Sequence, residues 1–296
     1  MQKSLAEIAY LSAKDELTDS IVYNRLSKPS LAKSEKFSKT LQSLASMEHG
    51  HYAFWKKFCP GREIEVNAFT VRWIIFLRRL FGITFAVKYL ERNEVKTIKS
   101  YRSYSNSIPA EDKMRFDQMV ADEEQHEQEF ANQFDEPHVK YISFVVLGLA
   151  DALVEIAGIH AGSLGIYDKT ELAGLAGIVA GAAASIAMAS AAYAQAKTGF
   201  KGSPTMGAIY TGTSYFVTAV ILATPYFITK VMLNALLSSL IAGVVLILFI
   251  SFYGSVIAGT VFRKDFVEVT SIMFGATLAL YLFGTIIRYL TGMTIS

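Results

Sequence analysis

The chain has 296 residues, a net charge of +2 and a single cysteine. Cys59 alone excludes an internal disulfide and any cysteine-based zinc or rubredoxin-type iron site within one chain. No basic stripe marks a nucleic-acid partner.

The charges are unevenly placed. Residues 1–138 carry 20 Lys/Arg and 20 Asp/Glu, whereas residues 139–296 carry 8 and 6. The first part has a soluble domain's composition and the second a membrane domain's. The opening MQKSLAEIAYLSAKDELTD is charged and lacks the apolar run of a signal peptide. The first part is therefore expected in the cytoplasm.

Taken in chain order, the pattern predicts a helix over 3–27 and a second over 30–58. Ser30 is the expected N-cap of the second, and CPG at 59–61 its stop. Segment 67–82, NAFTVRWIIFLRRLFG, is apolar with Arg72, Arg78 and Arg79, too short and too basic to span a bilayer. It reads as an amphipathic helix on a membrane surface, as a dimer contact, or as a connection packed on the domain. Helices over 83–105 and 109–134 complete the first part, the last opened by Ser107 and Pro109.

One face of each long helix carries a polar interruption. The second has Leu41, Leu44, Glu48, His51 and Trp55, in steps of three and four; the last repeats them with Phe116, Met119, Glu123, His126 and Phe130. Between them, Thr84, Val87, Glu91, Glu94, Ile98 and Tyr101 share a face, as do Leu5, Ala9, Ser12, Glu16 and Tyr23. One such acid is equally well an exposed residue at a stripe's edge. Two Glu-x-x-His pairs on two helices, with acids on two others, form the inward ligand set of di-iron carboxylate bundles. Carboxylates neutralise and bridge two cations while imidazole supplies a neutral ligand. Buried without metal, such acids are heavily penalised. His49 falls off this face, Glu127 lies beside it, and His138 sits at the junction of the two parts.

Five apolar stretches follow, near 140–165, 171–196, 206–228, 231–259 and 266–290. Each is long enough to cross a hydrocarbon core of about 30 Å. The connections IYDKTE, KTGFKGS, the Pro225 region and FRKD are short. Lys197, Lys201, Arg263 and Lys264 put the 197–204 and 261–265 loops on the cytoplasmic side, leaving the C-terminus on the opposite side. The second stretch is rich in Gly, Ala and Ser, which allows close helix approach. Asp151 and Glu155, four apart in the first stretch, share a helix face, and a mid-membrane carboxylate generally lines a site or pathway. Met188 in the second stretch lies at similar depth, where a thioether beside Asp151 suits a transition metal. His160 lies off the Asp151 face and reads as structural.

With these residues in view, the chain resembles the membrane-bound ferritin-like iron exporters. Residues 1–138 look like a rubrerythrin-type ferritin-like domain without its Cys-rich module. Residues 139–296, with GLADALVEIAG and AGAAASIAMASAAY, look like a vacuolar-iron-transporter-type domain. The resemblance implies an all-α fold, a four-helix ferritin-like bundle followed by a five-helix transmembrane domain. It implies a di-iron site at Glu16, Glu48, His51, Glu91, Glu94, Glu123 and His126. It implies an ion pathway of Asp151, Glu155 and Met188, and export of Fe²⁺, with Mn²⁺ as a second cargo, against protons by a homodimer in the cell membrane. Two departures stand out. The connection between spans two and three is only about ten residues, where plant-type relatives insert a carboxylate-rich domain. Tyr193 also lacks the neighbouring acid common in that family. The competing expectation is a membrane-anchored di-iron ferroxidase or peroxidase, with a metal-responsive scaffold third.

Overall fold

The computed structural model describes residues 4–32, 34–92, 97–98, 101–102, 104–133, 140–164 and 166–291, side chains of 124–133 excepted. Among the described residues there are helices and no strands. The chain divides into two compact units, Met1–Asp135 and Glu136–Ser296.

In the first unit, α1 (Leu5–Leu26) starts on a capping box in which the Ser4 hydroxyl accepts from the Glu7 amide and Glu7 accepts from the Ser4 amide. It pairs with α2 (Glu35–Lys56), and Ser20 Oγ donates to Ala45 O at 2.7 Å across that contact. The cap of α2 is Ser34, whose hydroxyl accepts from the Phe37 amide, and not Ser30. The reason is local: the amides of Leu31 and Ala32 both return to Lys28 O at 2.8 Å, so Ser30 is held in the turn that closes α1.

The basic apolar segment is a helix, α3 (Ala68–Phe81), capped by Asn67. Val71, Ile74 and Leu77 are its buried face, and it packs on α1 and on α4 (Ile83–Glu91). Arg78 is spent inside this unit, donating from Nη2 and Nε to Leu31 O at 2.6 and 3.2 Å. The break between α3 and α4 falls at Gly82, whose φ of 90° is a conformation that a side chain disfavours. The helix expected over 83–105 is described as α4, as helical residues at 97–98, 101–102 and 104, and as a 3₁₀ turn that starts at Ser105. A 3₁₀ turn at Ala110–Asp112, fixed by Lys57 Nζ at 2.7 Å from Asp112 Oδ1, leads into α5 (Lys113–Gln133). A core of Ile8, Ala9, Ala13, Phe54, Trp55, Tyr101, Phe116 and Met119 closes around Trp55, with Phe116 edge-on to it at 5.9 Å.

The second unit consists of α6 (Ile142–Ser163), α7 (Thr170–Ala196), α8 (Pro204–Ile228), α9 (Met232–Ile257) and α10 (Phe262–Thr291). All five are long and apolar enough to cross a membrane. Arg263 and Lys264, expected in a connection, instead lie in the first turn of α10.

Small residues set the spacing, as the second stretch's composition leads one to expect. A Cβ added at Gly181 of α7 would strike Ala219 of α8, and one at Gly148 of α6 would strike the backbone of Thr211. Thr211 Oγ1 donates to Phe144 O at 3.1 Å, tying α8 to α6. The core between the helices holds Leu149, Leu153, Ile156, Tyr215, Leu222 and Met273.

Candidate metal centre

Four side chains from three helices converge in the first unit: Glu16 from α1, Glu48 and His51 from α2, and Glu123 from α5. Each offers a donor atom within 4.8 Å of every other, and all four are buried. Three-residue spacing puts Glu48 and His51 on the same side of α2. His51 is the hub: its Nδ1 lies 3.0 Å from Glu123 Oε1, 3.3 Å from Glu48 Oε2 and 3.8 Å from Glu16 Oε2. Its Nε2 lies 3.9 Å from Asp122 Oδ2.

Proximity is not satisfaction. Both ring nitrogens of His51, together with Glu48 Oε1 and Glu123 Oε2, are buried without a hydrogen-bond partner. Unsatisfied polar atoms in such a place are costly, and a cation would pair with all of them at once. Three carboxylates and an imidazole are donors that transition metals accept. An ion with bonds of about 2.1 Å holds neighbouring donors about 3.0–3.4 Å apart, and His51 Nδ1 lies 3.0, 3.3 and 3.8 Å from its three carboxylate neighbours. The donor set thus fits a metal ion.

Electrostatics agree. Burial alone would depress the basicity of His51, but Glu123, Glu16 and Glu48 outweigh it and push its pKa up to about 12. Burial raises Glu48 well above the usual carboxylate range, against the pull of His51, with Glu16 and Glu123 adding to the rise. Burial likewise raises Glu123. Glu16 moves the other way: the neighbouring His51, Glu48 and the Tyr101 hydroxyl together overcome its burial and lower it. Without metal His51 therefore holds a proton at neutral pH.

Other expected ligands sit differently. Glu91 is only half-buried and accepts a hydrogen bond from the Tyr23 hydroxyl. Glu94 and the side chain of His126 lie outside the described residues. Three polar neighbours went unread in the sequence. Tyr101, which looked like part of an apolar stripe, donates its hydroxyl to Glu16. Tyr23 does the same for Glu91. Asp19, one turn beyond Glu16, is held well above the usual carboxylate range by burial and by the charges of Glu16, Asp15, Glu123 and Glu91. The i, i+3 spacing of Glu16 and Asp19 was the available signal.

In the second unit Asp151 and Glu155 are both partly buried on α6. Tyr215 of α8, fully buried, donates its hydroxyl to Glu155 Oε2 at 2.5 Å. Met188 is partly buried on α7 and packs against the same helix core as Tyr215. His160 is fully buried and packs against Tyr226, the rings tilted by 34° with centroids 4.2 Å apart. Its Nε2 occupies the place that a side chain at Gly177 would take.

No family model, curated protein or solved structure matches this chain.

Proposed function

We propose that the protein moves Fe²⁺, with Mn²⁺ as an alternative cargo, out of the cytosol in exchange for protons. The first unit, read as a ferritin-like domain, captures the ion. The observation that carries the reading is the pairing, in one chain, of a buried Glu/His donor cluster with five helices of spanning length, one of which carries Asp151 and Glu155 in an apolar stretch.

Each half limits the other's interpretation. A metal-binding domain needs one span for anchorage, and five spans with two carboxylates on one helix face exceed that need. A carboxylate in a bilayer is expensive and is retained where ions or protons pass. Deprotonated carboxylates bind a dication and protonated ones release it, so Asp151 and Glu155 couple metal release on one side to proton uptake there. The Met188 thioether favours transition metals over Mg²⁺ or Ca²⁺. Alternating exposure of this site to the two sides completes the cycle. In this reading the first unit faces the cytosol, a second iron at the cluster draws on Glu91, Glu94 and His126, and the transporter works as a homodimer.

The test is metal flux in proteoliposomes with the full chain. Asp151→Ala should abolish flux while leaving metal binding by the first unit intact. Glu48→Ala should weaken that binding and slow flux at low metal concentration. Wild-type flux in Asp151→Ala vesicles rejects the pathway.

The cluster also supports a second reading, a membrane-anchored di-iron ferroxidase or peroxidase, because Tyr101 donates to Glu16 beside the orphaned carboxylate oxygens of Glu48 and Glu123. Rapid Fe²⁺ oxidation by the full chain, lost in Glu48→Ala and unaccompanied by flux, selects that reading.

A further inference from the structure

Helix α3 is apolar on two faces. Val71, Ile74 and Leu77 are buried within the first unit. On the other side Phe69, Trp73, Phe76 and Leu80, in steps of four, three and four, are exposed by 74, 36, 51 and 58%. Trp73 and Phe76 stack on each other, with centroids 5.6 Å apart, rather than on any other element. Among the described residues of the first unit, the only other large apolar side chains so exposed are Leu11 and Met114, isolated on other elements. One helix therefore concentrates the unit's exposed apolar surface, a pattern that calls for an occupant.

Charge identifies the occupant. Arg72 and Arg79 flank the stripe and are exposed, while Arg78 is turned inward to Leu31 O. Residues 68–81 contain no Asp or Glu. Aromatic and aliphatic anchors bordered by arginines, with no acid, match the headgroup boundary of an anionic bilayer, where Trp and Phe sit at the interface and Arg meets phosphate. A second copy would bring its own Arg72 and Arg79 against this face and repel it. Only residues 134–141 separate α5 from α6. Eight residues reach about 28 Å when extended, so the first unit is tethered close to any bilayer that the second one crosses.

We propose that the outer face of α3 docks on the anionic surface of the membrane, inserting Phe69, Trp73, Phe76 and Leu80 at the headgroup level. This rests on the second unit spanning the bilayer. It adds a membrane contact to the proposed transporter, one that fixes how the metal-binding unit is presented to the membrane.

Tryptophan fluorescence reads it directly, because the chain's two tryptophans are Trp73 and the buried Trp55. The full chain is placed in nanodiscs of phosphatidylglycerol with phosphatidylcholine brominated near the headgroup end of its acyl chains. Carbonate-resistant association confirms insertion independently of α3. The emission that disappears in Trp73→Phe should lose most of its intensity to bromine, and Arg72→Glu with Arg79→Glu should restore it. Inserted protein whose Trp73 emission is unquenched overturns the proposal. A blue-shifted unquenched band, with crosslinking between copies through Phe76→Cys, overturns it in favour of a dimer contact. Failure to insert overturns the spanning reading, and with it this one.

Discussion

His51 Nδ1 lies 3.0 Å from Glu123 Oε1, joining α2 to α5 through two buried groups, neither of which completes its hydrogen bonding. Metal should complete it. Because an ion that binds only the folded state adds about 2.7 kcal/mol at 100 times its dissociation constant, saturating Fe²⁺ or Mn²⁺ should raise the unfolding temperature of the first unit. Glu123→Gln and Glu48→Ala should weaken binding by at least about tenfold to a hundredfold, the loss typical of groups that support a metal site, and should remove the thermal shift. Anaerobic metal titration followed by thermal unfolding in detergent checks both.

Affinity at this cluster should rise with pH. His51, pushed up to about 12, holds a proton in the metal-free site at neutral pH. Metal must displace it, giving about a tenfold gain in affinity per pH unit for each proton released. The sign for metal-free stability is opposite. A raised folded-state pKa contributes stability in full below the unfolded value, near 6.5, and loses it as pH climbs toward 12. The slope from His51 is at most about 1.4 kcal/mol per pH unit. Unfolding temperatures of metal-free protein should therefore fall from about pH 6.5 upward, and metal should flatten the decline.

Tyr215→Phe removes the hydroxyl that donates to Glu155 Oε2. A hydrogen bond contributes about 0.5–1.5 kcal/mol, so flux should fall by about two- to tenfold. Metal binding by the first unit should be unchanged. Equal losses in both assays would mean a general folding defect.

Gly177→Ala should destabilise the second unit by about 1–3 kcal/mol, the usual cost of overpacking, because its Cβ would meet His160 Nε2. His160 is pinned against Tyr226 and has nowhere to retreat. Adding His160→Ala should recover part of the loss, and thermal unfolding of both variants in detergent measures the coupling.

Much of the candidate site was legible because helical periodicity is local. Glu48 and His51 announce themselves by a three-residue step inside an apolar stripe, and Glu16 and Glu123 by interrupting similar stripes. Five helices of spanning length were legible because length and hydropathy suffice. The tyrosines were not, since a Tyr in a stripe looks apolar until its hydroxyl meets an acid from a distant helix: Tyr101 meets Glu16 and Tyr215 meets Glu155. Nor could sequence choose among the readings of α3, because its two apolar faces differ only in what the rest of the unit covers. Ser34 replaced Ser30 as a cap because a turn at Lys28, invisible to a capping rule, claimed the earlier serine.

Exchange of metal for protons through one chain is met most directly in proteoliposomes with an acidic lumen and the first unit outside, by following Fe²⁺ entry and luminal pH together. Fe²⁺ should enter, the lumen should alkalinise as it does so, and both signals should vanish in Asp151→Ala. Fe²⁺ entry no faster than in empty vesicles, or entry that leaves luminal pH unmoved, would contradict it.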